Sequence, residues 1–192
     1  MKKLLALLLV ITSISLLLCA CGQNGDTSKT DETTSQTTSE SGAIVSNASC
    51  IEIRDEAYLK EKSDPEVHQL YDSKDNAMDE FLISGYYGTL LETPDFTKLD
   101  SYAVFITDEP VVSEFGVFKA SSDMTVDEIK EFCQLRVDAL KKKFEGYKPE
   151  MVNAASGSVI GVYGDYVYYI STMENNTAIE TIIKTKIDSG KQ

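Results

Sequence analysis

Apolar and polar positions from about residue 49 onward alternate between two periods, one near 3.6 and one near 2. The longest helical pattern is Val126–Glu145, where Val126, Ile129, Cys133, Val137, Leu140 and Phe144 recur at spacings of three and four. Thr125 and Glu128 have capping-box spacing at its start, and Asp127 adds acid to the first turn. Lys141, Lys142 and Lys143 suit its C-terminal end, Gly146 supplies a left-handed stop, and Pro149 prevents continuation. Period-two runs occupy Ser158–Tyr163 and Tyr166–Ser171, separated by Gly164-Asp165, a two-residue hairpin signal. This register sets Ile160 beside Tyr169 and Val162 beside Val167, with Tyr163 and Gly161 opposite Tyr166 and Tyr168 on the other face. Two more strands are expected at Ser101–Thr107 and Glu114–Ala120, joined by an acidic loop holding Pro110. A last helix is expected over Glu174–Ile187, with Ser171 and Glu174 as its capping box and Ala178, Ile179, Ile182, Ile183 and Ile187 as its stripe. Glu66–Tyr71 and Ala77–Tyr87 read as helical. The order strand-strand-helix-strand-strand-helix implies an α+β domain: an antiparallel sheet of about four strands with helices packed on one face.

The N-terminus follows a different pattern. Leu4 to Leu18 carries no charge and is interrupted only by Thr12, Ser13 and Ser15, behind the cationic Met1-Lys2-Lys3. At about 1.5 Å per residue this run falls short of a bilayer core of about 30 Å. It has the form of a signal-peptide apolar region. Leu18-Cys19-Ala20-Cys21 then reads as a lipobox, with Cys21 as the thiol that accepts a diacylglyceryl group. Cys19 fits worse, because Leu18 would occupy the position that wants a small side chain. Between Thr27 and Ser41, ten of fifteen residues are Ser or Thr and none is aromatic, a composition that cannot offset its ordering entropy. The expected organisation is a signal peptide at 1–20, a lipidated Cys21 with a disordered tether over 21–48, and a single domain over 49–192. Two acyl chains suffice for stable anchoring where one is marginal.

Three stretches carry a resemblance to a known family. They are Tyr102-Ala-Val-Phe-Ile106 with Phe115-Gly-Val-Phe-Lys-Ala120, then Phe144-Glu-Gly-Tyr-Lys-Pro-Glu150, then Gly164-Asp-Tyr-Val-Tyr-Tyr-Ile-Ser171. In order and spacing they resemble the bacterial family known as domain of unknown function 4358, over about residues 80–188. The resemblance implies a small secreted lipoprotein with a Ser/Thr-rich tether. It implies no activity, cofactor or site residue.

Composition narrows the chemistry. The formal charge of −13 argues against nucleic acid, whose phosphates need clustered Lys and Arg. Loss of Lys2 and Lys3 on cleavage would deepen it to −15, a surface repelled by anionic lipid. The one histidine, His68, lies in the polar stretch Glu66-Val-His-Gln and reads as a surface residue. Cys50 and Cys133 are the thiols left after lipidation; they either form a disulfide or sit as buried small hydrophobes, and they match no zinc spacing. The acid pairs Asp79/Glu80, Asp108/Glu109 and Asp127/Glu128 read as solvated charge, no calcium-loop pattern occurs, and Gly157, Gly161 and Gly164 match no phosphate-binding motif. No metal or cofactor is expected. Tyr102, Tyr163, Tyr166 and Tyr168 are the candidate binding surface, provided the N-terminal segment does not cover their sheet face.

The sequence thus predicts a palmitate-bearing lipoprotein on the extracytoplasmic side of a bacterial cell membrane, with an envelope protein, peptide or polymer as partner. A non-catalytic interaction module is the first expectation. The alternative is an envelope hydrolase using paired carboxylates in a concave pocket.

Overall fold

Central strands that are buried at nearly every position demand cover on two sides, and the architecture follows from that. The computed structural model describes residues 46–61, 68–107 and 111–191. The expected signal peptide, Cys21, the tether up to residue 45 and the Asp108–Pro110 loop lie outside these residues. The chain runs α1 (Cys50–Glu61), β1 (His68–Asp72), α2 (Glu80–Tyr87), a 3-10 turn (Phe96–Lys98), β2 (Ser101–Thr107) and β3 (Ser113–Lys119). It continues through α3 (Val126–Phe144), α4 (Pro149–Ser156), β4 (Val159–Tyr163), β5 (Tyr166–Thr172) and α5 (Asn176–Ser189). The fold is α+β, and its sheet is antiparallel in the order β1-β2-β3-β5-β4.

The sheet has five strands, not four. The added strand, β1, falls where Glu66–Tyr71 reads as helical. Its neighbours Leu70 and Tyr71 pack on opposite sides of the sheet, which is period two rather than 3.6. Pairing with β2 from His68↔Thr107 to Asp72↔Ala103 satisfies the backbone on that flank of β2.

Helices cover both faces of the sheet rather than one. Along β2, Tyr102, Val104 and Ile106 point to one side, where they meet Phe118, Val167 and Tyr169 and are roofed by α2 and α3. Ala103 and Phe105 point to the other, where Val117, Tyr166 and Tyr168 lie under α1 and α5. Gly161 in β4 leaves room for the Tyr168 ring: a Cβ there would fall 2.2 Å from Tyr168 Cζ.

Local signals explain most element ends. The α3 capping box is complete, with Thr125 N donating to Glu128 Oε2 at 2.7 Å and Glu128 N donating back to Thr125 Oγ1 at 3.3 Å. Gly164 takes φ 64° at the hairpin tip, as a first loop residue there requires. Pro149, expected to stop α3, opens α4, since proline lacks only an N–H that a first turn leaves unpaired. The expected Ser171/Glu174 box does not form. Ser171 and Thr172 are held in β5 by pairing with Glu114 and Ser113, so α5 starts later. Thr172 Oγ1 instead accepts from Asn175 N at 2.9 Å and donates to Asn176 Oδ1 at 2.8 Å.

One buried ion pair ties α3 to the sheet. Arg136 donates through Nε to Glu114 Oε1 at 2.7 Å and through Nη2 to Glu114 Oε2, with both side chains under a tenth exposed. Its guanidinium also stacks over Tyr86 at 4.5 Å. Removing one partner strands a desolvated charge, whereas removing both does not. Glu114→Ala should therefore destabilise the protein by about 3–5 kcal/mol in urea unfolding, and Glu114→Leu combined with Arg136→Met by much less. Equal losses from the single and double variants would contradict this account.

Candidate functional site

The tyrosine surface is core. Tyr102 lies on the α2/α3 side of the sheet, and Tyr163, Tyr166 and Tyr168 lie on the other. Tyr102, Tyr166 and Tyr168 are at most 3% exposed. Their hydroxyls are also committed: Tyr102 accepts from Met78 N at 2.9 Å, Tyr166 donates to Ala48 O at 2.8 Å, and Tyr168 donates to Glu180 at 2.8 Å. Tyr163, half-buried, donates to Asp188 at 2.7 Å. The segment 46–61 and α5 cover the Tyr163, Tyr166 and Tyr168 face, and α2 and α3 cover Tyr102, so the four rings do not form a binding surface.

Cys50 and Cys133 are both free and buried, on opposite sides of the sheet. No disulfide joins them, because the sheet itself stands between. Burial pushes the Cys50 thiol up to about 12, against a weaker opposing effect from the Ser101 hydroxyl, and pushes Cys133 well up. His68 is half-buried in an aromatic sandwich, its ring 4.7 Å from Tyr58 and 5.5 Å from Phe105. Of the acid pairs, Asp79 caps α2 through Leu82 N and Glu128 closes the α3 box. Asp108/Glu109 lies outside the described residues. Among the described residues no group of three or more His, Cys, Asp or Glu is placed to hold a metal.

Another feature emerges between α3 and the chain leading from α2 to β2. Gly88 ends α2 and the chain turns at once. Thr89 N donates to Glu92 O at 2.7 Å, and Thr89 Oγ1 accepts from Leu91 N and Glu92 N at 3.2 and 3.0 Å. That turn holds Leu90 and Leu91 outward, 104% and 98% exposed. Asp95 then caps the 3-10 turn by accepting from Thr97. On the facing wall, Glu128, Glu131, Phe132 and Leu135 follow helical spacing along one side of α3.

The cleft between these walls measures about 220 Å³. Tyr87, Met124 and Phe132 supply its apolar lining, and Tyr87 is braced from behind by a 2.9 Å hydrogen bond to the Tyr169 hydroxyl. Glu92, Asp95, Glu128 and Glu131 line it with a single cation, Lys98. Hydrogen bonds from the Thr97 side chain and backbone lower Asp95, and bonds from the Thr125 backbone and side chain lower Glu128. Both stay ionised at neutral pH, so neither is held as a general acid. The volume is below the roughly 300–1,000 Å³ of small-molecule sites.

Sequence reasoning missed this cleft. The readable signals were an unassigned Leu90-Leu91 pair between Gly88 and Pro94, and Phe132 and Leu135 lying beside the main α3 stripe.

A family model described as Domain of unknown function (DUF4358) matches residues 95–172. The match supports the likeness read from the sequence. It runs from the 3-10 turn through β5, taking in α3 and the Asp95 end of the cleft but not the Leu90-Leu91 wall. No curated protein and no solved structure matches the chain.

Both internal thiols should resist iodoacetamide in the native protein and react only on unfolding, as read by peptide mass mapping. Native alkylation of either Cys50 or Cys133, or a Cys50–Cys133 disulfide peptide, would refute their placement.

Proposed function

We propose that this protein is a bacterial lipoprotein, acylated on Cys21 and held on the extracytoplasmic side of the cell membrane, whose folded part is a non-catalytic binding module. The anchoring rests on Leu18-Cys19-Ala20-Cys21 behind an apolar run too short to span a bilayer, followed by a Ser/Thr-rich stretch. Among the described residues no helix is long and apolar enough to cross a membrane.

The observation that carries the binding reading is the cleft of about 220 Å³ between α3 and the 88–95 chain. It joins an apolar lining to an acidic rim. Its capping carboxylates Asp95 and Glu128 are hydrogen-bonded and held ionised, which suits charge recognition and not proton transfer. A hydrolase with two carboxylates needs one of them raised as the acid. Neither of these two is raised.

Metabolic labelling with an alkyne-tagged palmitate tests the anchoring. The wild-type chain should take up label and sediment with membranes, while Cys21→Ala should lose the label completely. Label retained on Cys21→Ala, or an unlabelled wild-type chain in the cytosol, would overturn the lipoprotein reading.

A further inference from the structure

We propose that the cleft between α3 and the 88–95 chain docks a basic amphipathic segment of a partner protein, with one apolar side chain entering the cleft and Leu90 and Leu91 gripping its flank. This rests on the binding-module reading and names the partner's chemistry.

The first support is the cost of the turn. A leucine left in water forgoes about 1.5–3 kcal/mol of burial. Here two in succession stand fully in solvent at a turn tip, a position that polar residues usually fill. The turn is closed by hydrogen bonds between Thr89 and Glu92, so the backbone aims both side chains outward. The leucines sit in the chain between two residues that line the cleft, Thr89 and Glu92. Leu135, partly exposed on α3, supplies apolar surface on the facing wall.

The second support is charge. Lys98 is shared: its field helps to lower both Asp95 and Glu128. Among the described residues Glu92 and Glu131, on opposite walls, have no ion-pair partner. A Lys or Arg beside the anchoring side chain meets one or both. Glu131 and Leu135 are one helical turn apart on α3, the spacing at which a partner's charge and apolar side chain are read together.

Other occupants fit less well. A second copy would bring two acidic rims together. An anionic bilayer would be repelled by the same carboxylates that flank the leucines. A free metabolite would leave most of itself in water in a space of this size.

The test uses the full chain in non-ionic detergent, with a fluorescein-labelled amphipathic peptide of Leu and Lys read by fluorescence anisotropy. Saturable binding that weakens with rising salt is expected. Leu90→Ser/Leu91→Ser and, separately, Glu92→Lys/Glu131→Lys should each weaken it by about tenfold or more. All four residues project from exposed positions, so thermal unfolding should match wild type. Glu145→Lys/Glu150→Lys, which makes the same charge change on exposed residues beyond the cleft, should weaken it far less. The proposal is overturned if the two charge variants lose affinity equally, if the leucine variant binds as wild type, or if a Leu/Glu peptide binds as well. It is also overturned if phosphatidylglycerol vesicles, and not the peptide, are what Leu90 and Leu91 engage. Because binding is read in solution, its failure is separate from any failure of acylation at Cys21.

Discussion

The structure depends on the double-sided burial of β2, β3 and β5. Every residue of β5 is buried, and the first strand of the central hairpin sends Val104 one way and Phe105 the other with no exposure on either side. Such a sheet is unstable until two separate layers cover it, since apolar burial is the dominant favourable contribution to folding. The chain meets that demand from its ends and its middle. The middle supplies α2 and α3. The ends supply α1 and α5, which pack together against the Tyr166 and Tyr168 face. Polar contacts lock the N-terminal layer in place: Arg54 on α1 reaches Tyr71 O at 2.9 Å and Asp72 at 3.1 Å, and Ser46 bridges to Lys191.

A consequence is that the strands have little freedom left for recognition. Their aromatic rings are engaged in packing, as where Phe118 stacks with Tyr102 and Tyr169 and meets Phe132 edge-on. What remains available is the outer surface of the helices and their connections. Helix α3 serves both purposes. One side, through Ile129, Cys133 and Val137, roofs the sheet, while Glu131 and Leu135 face the cleft. The Arg136–Glu114 pair fixes the rotation of α3 and hence which residues reach each side. Ionic anchoring of this kind contributes geometry more than net stability.

The opposite wall of the cleft is built differently. Thr89 to Pro94 is a turn held by its own backbone and one threonine hydroxyl, with exposed side chains at its tip. The matched family segment begins at residue 95, so the wall on α3 falls inside it and the Leu90-Leu91 turn outside.

Local chemistry was legible from the sequence by itself. The α3 cap and stripe, the Gly164-Asp165 hairpin, the cross-strand partners from Ile160↔Tyr169 to Tyr163↔Tyr166, and α2 all follow from short-range spacing. Periodicity of two or 3.6 records which side of an element is apolar, and caps and turns need only neighbours a few residues away. Tertiary structure alone decided what lies over each apolar side. It made His68–Asp72 a strand, because pairing with β2 outweighs a weak local preference. It placed Cys50 and Cys133 on opposite faces, turned the tyrosines inward, and brought residues near 90 against residues near 131 to form a cleft. These outcomes depend on contacts between segments far apart in the chain, and no local pattern encodes which distant surface will arrive.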